Sequence, residues 1–112
     1  MARDRWQLIR EEDGAVTLAR RVPVRFDLAV EGRLPDAART RVAHRLRQDM
    51  WRVLQDLRGF APVVRIWREG DGLRVRAGGA VTGRFARAAA EARIAALLED
   101  PVRVARWTGS GR

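Results

Sequence analysis

The chain has 112 residues, with 23 arginines, no lysine, 14 acidic residues and a formal net charge of +9. It has no cysteine and one histidine, which excludes a disulfide framework, a thiolate zinc site and a thiol nucleophile. No stretch approaches the roughly 18 consecutive apolar residues that a membrane-spanning helix requires.

Hydrophobic residues make up 46% of the chain, as expected of a globular protein. A single domain over residues 1–112 is the natural reading of this length, with 108–112 as a frayed tail. Asn and Tyr are missing and Ala, Gly and Arg abundant, the mark of a GC-rich coding sequence. That bias accounts for arginine in place of lysine. It does not account for the excess of base over acid, which points to an anionic partner. Met1 to Trp6 lacks the apolar run of a signal peptide, so a cytoplasmic protein is expected.

In chain order, Trp6–Arg10 and Ala15–Arg20 flank the turn Glu11-Glu12-Asp13-Gly14 and read as a hairpin. Val16 and Leu18 take one face; Ala15, Thr17 and Ala19 take the other. A third strand follows Pro23, with Val24, Phe26, Leu28 and Val30 inward and Arg25, Asp27, Ala29 and Glu31 outward. Gly32–Pro35 is expected to end it. Asp36–Arg58 reads as a long helix with Val42, Leu46, Met50, Val53, Leu54 and Leu57 on one side, and Gly59 beyond its end. A second hairpin runs from Val63 to Ala77 through Gly70-Asp71-Gly72. Gly78–Gly83 reads as a loop. Arg84–Leu98 is a second helix, and Asp100-Pro101 starts a short terminal turn.

The expected fold is α+β: a two-layer sandwich, a mostly antiparallel sheet in the order β-β-β-α-β-β-α with two helices packed on one face. Val24, Phe26, Leu28, Val30, Leu46, Val53, Leu54, Leu57, Ile94 and Leu98 are the expected core.

Three constellations could hold an anion. On the long helix, Arg41, Arg45, Gln48, Arg52 and Gln55 share an arc opposite the apolar stripe. Asp49 and Asp56 lie at one edge of this arc, His44 and Trp51 at the other. Such a row can track a phosphate backbone while Trp51 stacks on a base. On the second hairpin, Arg65, Trp67, Arg74 and Arg76 project from one side if the pairing is regular. Third, and weaker, the loop residues Gly79, Thr82 and Gly83 precede Arg84 and Arg87 at a helix start, where a phosphate or carboxylate could bind. The plainer alternatives are a solvated helix face, arginines paired with Asp27 and Glu31, and a connection capped by Thr82.

Catalytic chemistry is poorly supplied. One histidine, one serine near the C-terminus and no cysteine or tyrosine cannot assemble a triad, and no cofactor or metal site is expected. The reading is a non-catalytic basic domain that binds nucleic acid or a ribonucleoprotein. The alternative is a dimeric interaction or assembly factor for an acidic protein. A phosphate-ligand binder at Gly78–Gly83 is a third. A homodimer is expected to use the face with Ala15, Thr17, Ala19 and Ala29.

Overall fold

The computed structural model describes residues 6–109. The order is β1 (Gln7–Arg10), β2 (Val16–Ala19), β3 (Leu28–Pro35), α1 (Arg39–Leu54), β4 (Ala61–Glu69), β5 (Gly72–Ala80), α2 (Arg87–Leu98) and α3 (Pro101–Thr108). The strands form one antiparallel sheet, β1-β2-β4-β5-β3, and the helices pack on one face of it. The two-layer α+β sandwich is as predicted, with a third helix in place of the terminal turn.

Alternation and register together choose the buried face. Leu18 pairs with Val64, Val64 with Ala77 and Ala77 with Val30. One row along, Val16 pairs with Ile66, Ile66 with Val75 and Val75 with Gly32. These rows meet Val42, Leu46, Met50 and Leu54 of α1 and Ala90, Ile94, Leu97 and Leu98 of α2 in one core. Each fully buried Leu, Ile or Val contributes about 1.5–3 kcal/mol. Gly32 has no side chain because α2 lies on it: a Cβ there would come within 3.2 Å of Leu98 Cδ1.

The third strand begins later than its alternation suggests. It starts at Leu28, and Gly32–Pro35 lies inside it. Val24–Asp27 belongs instead to the segment that crosses from β2 to β3, on the far side of β4 and β5. The inward phase holds for Leu28, Val30 and Leu34. Val24 and Phe26 are half-buried and outside the core cluster, and the Phe26 ring lies 4.8 Å under the Arg76 guanidinium. The ends of the long helix are also trimmed to Arg39 and Leu54, and α2 starts at Arg87.

Gly78 and Gly79, read as loop, lie within β5. A Cβ on Gly78 would run into the Leu28 carbonyl, and one on Gly79 into the Ala61 carbonyl. Their small size lets three backbones meet; it does not make a flexible loop.

The terminal turn is a full helix. Asp100 accepts from the N–H groups of Val102 at 3.0 Å and Arg103 at 3.4 Å, Pro101 takes the first helical position, and Gly109 closes the end with φ 71°. Thr108 is buried and helical, so the frayed tail does not begin there; residues 110–112 lie outside the described residues. Trp107 is fully buried, and its indole N–H donates to Asp49 at 2.7 Å.

Candidate functional site

The strand register sorts the connections into two ends. Val16 opposite Ile66, Glu69 opposite Gly72 and Gly72 opposite Pro35 bring together both hairpin turns and the start of α1. That end carries Glu11, Glu12, Asp13, Asp36, Glu69 and Asp71. Arginines are interleaved with them: Arg65 holds Glu11 at 2.9 Å and Arg68 holds Asp36 at 3.1 Å.

At the opposite end Ala19 faces Val63, Ala61 faces Ala80 and Gly79 faces Leu28. The β2–β3 crossing, the α1–β4 connection and the start of α2 meet here. They carry Arg20, Arg21, Arg25, Arg58, Arg84 and Arg87 against Asp27 and Glu91, with Asp56 taken at 2.9 Å by Arg93. Arg58 is placed by its own carbonyl, which accepts from Thr82 N–H at 2.9 Å.

Two depressions adjoin at this end. Arg20, Arg21 and Arg25 line one of about 80 Å³, floored by Ala61, Pro62 and Val63. Arg25, Arg84 and Arg87 line one of about 500 Å³, with Asp27, Gly83 and Phe85. Arg25 lines both, so the two depressions are neighbours and are taken together as the arginine groove. The two carboxylates beside it are bound to backbone. Asp27 accepts from Val81 N–H at 2.8 Å and from Arg25 at 3.0 Å. The Val81 bond, then the Arg25 contact, hold its carboxyl below the usual range. Glu91 accepts from Ala29 N–H at 3.1 Å and from Arg87 at 3.2 Å. Asp27 thereby pins the crossing segment to the end of β5, and Glu91 pins α2 to the β3 edge.

The arginine row of α1 is only partly open. Arg41 donates to the Thr108 carbonyl at 3.1 Å, and Arg45 to that of Arg106 at 2.7 Å. Both guanidiniums satisfy carbonyls at the C-terminus of α3, the negative end of its dipole. Asp49, at the edge of the same arc, is buried and accepts from Trp107 and Arg106; Arg103 lies 3.7 Å away and Arg52 4.0 Å. This half of the stripe seats α3, while Arg45, Gln48 and Arg52 still line an open depression of about 300 Å³ with Asp49 and Arg106. Trp51 and His44 lie on the other flank. Burial first, then the charge of Arg47, lowers the His44 pKa.

The hairpin patch forms as register requires, with Arg65 opposite Arg76 and Trp67 opposite Arg74. It is substantially neutralised. The Arg65 guanidinium lies 4.8 Å over the Trp67 ring and binds Glu11. Hydrogen bonds from Arg65 first, then Thr17, lower the Glu11 pKa. Arg74 and Arg76 reach Glu31 at 3.5 and 3.9 Å. Ala15, Thr17 and Ala19, expected on a dimer face, are buried within the protomer.

Of the loop residues, Gly79 is structural and Thr82 does not cap α2, whose cap residue is Ala86 with no side-chain bond. Gly83, Arg84 and Arg87 line the groove. Arg20, Arg21 and Arg25 were not singled out from the sequence. They lie some sixty residues from Arg84 and meet it only through the sheet register, although the local run Arg20-Arg21 was visible.

On the β1–β2 side, Trp6 holds two cations. Arg47 of α1 lies 4.3 Å from the ring centroid and Arg20 lies 5.0 Å from it. Among the described residues no group of three or more His, Cys, Asp or Glu side chains is arranged to hold a metal ion, and no helix is long and apolar enough to cross a membrane. No family model, no curated protein and no solved structure matches this chain.

Proposed function

We propose that this chain is a non-catalytic basic domain that binds nucleic acid through the arginine groove at one end of its sheet. The supporting observation is the segregation of charge: arginines crowd the end formed by the β2–β3 crossing and the start of α2, while six of the acids gather at the other end. Arg21 and Arg84 have no carboxylate within ion-pair distance among the described residues and keep their donors for a ligand. The first turn of α2 has no acidic residue and no side-chain cap, so its N–H groups and dipole add to the attraction. Guanidinium suits phosphate because its fork donates two parallel bonds.

Binding of this kind is chiefly electrostatic and independent of sequence. Fluorescence anisotropy should show affinity for nucleic acid at low salt, with log K falling linearly against log salt. A groove that neutralises about four phosphates on duplex gives a slope near −3.6. If the true partner is an acidic protein, the chain will ignore nucleic acid even at low salt, and that result ends this reading.

A further inference from the structure

Resting on that reading, we propose that the flank of α1 above the β1–β2 edge extends the groove into a site for single-stranded nucleic acid, with a phosphate at Arg47 beside Arg20 and an unstacked base on Trp51. Arg47 and Trp51 are one helical turn apart and face the same side. Trp51 is a large apolar side chain left 40% exposed, where most others are buried. Arg20 links the two places: it lines the groove and shares the Trp6 ring with Arg47, and Trp51 follows Arg47 along α1.

Arg47 is half-buried and held in an unusual way for such a cation. Ordinarily a carboxylate fixes such a guanidinium and takes up its N–H groups. Here the Trp6 ring holds the cation, 4.3 Å from its centroid, and offers no acceptor for the N–H groups. Its Nε is buried without a hydrogen-bond partner, and no ion pair to Arg47 exists among the described residues. Burial, then the like charge of Arg20, depresses its pKa. An anion at Arg47 would relieve both penalties. A bound phosphate places its neighbouring base within reach of an exposed aromatic, and only a single strand offers a free base face.

The test is anisotropy on labelled oligo-dT and on duplex DNA at one low salt concentration, with wild type, Trp51→Ala, Trp51→Phe and Arg47→Gln. Trp51→Ala should lose roughly tenfold on oligo-dT and stay within about twofold on duplex, since base stacking on one aromatic contributes that order of affinity. Trp51→Phe should restore most of the loss. Arg47→Gln should weaken oligo-dT binding and flatten its salt slope by about 0.7, one single-strand phosphate. An equal loss on both ligands with Trp51→Ala, or none on oligo-dT, overturns the proposal, as does an unchanged salt slope with Arg47→Gln. Duplex binding that survives alongside such a result leaves the groove reading intact. Wild type that binds neither ligand removes both.

Discussion

Trp107→Ala should lower the free energy of unfolding by about 3–5 kcal/mol, the range for truncating a fully buried tryptophan. The ring is wholly inaccessible, and it is the largest side chain that α3 buries. The same substitution removes the indole N–H from the buried Asp49 carboxylate, which keeps its bond from Arg106. Asp49→Ala should cost less, about 1–3 kcal/mol, the penalty of leaving one buried donor unpaired. Arg106→Ala should cost under about 1 kcal/mol, because its side chain is half exposed and solvent screens the pair. Urea denaturation of the three variants checks the order. A Trp107→Ala protein within about 1 kcal/mol of wild type would mean that α3 is not part of the core.

Reversing Arg21 and Arg84 to Glu together should weaken nucleic-acid binding by roughly 10–100-fold at low salt, since two phosphate contacts become two repulsions. Both side chains are exposed, so the fold should be unaffected. The informative contrast is Arg41→Glu with Arg45→Glu. These residues satisfy the last carbonyls of α3, and a negative charge there opposes the helix dipole. That pair should lower stability by about 1 kcal/mol or more and change binding less than the groove pair does. Equal binding losses for the two pairs would mean that only net charge matters and no groove is selected.

Much of the fold was legible because periodicity carries it. The inward phases of β2, β4 and β5, the apolar side of α1 and the Asp100-Pro101 restart all follow from local chemistry. The misses have one physical origin: chain topology decided between locally equivalent options. Val24–Asp27 alternates as a strand would, but the pairing order β2-β4-β5-β3 requires a crossing there. Gly78-Gly79 has loop composition, but close strand packing needs the same residues. Arg41 and Arg45 sit on the polar side of α1, as a helical wheel says; the wheel cannot say that α3 lies on them. The groove was half visible, as Arg84 and Arg87. Its other half depends on which strand ends meet, and that is set by long-range register.

The central claim is that the anion site lies at the crossing end of the sheet. An amide chemical-shift map tests it most directly. Nucleic acid added at low salt to isotope-labelled protein should move the resonances of Arg20–Arg25 and Val81–Arg87 and leave the α3 C-terminus, Ala105–Thr108, in place. Shifts concentrated at Ala105–Thr108 and Arg41–Arg45, or absent throughout, would contradict it.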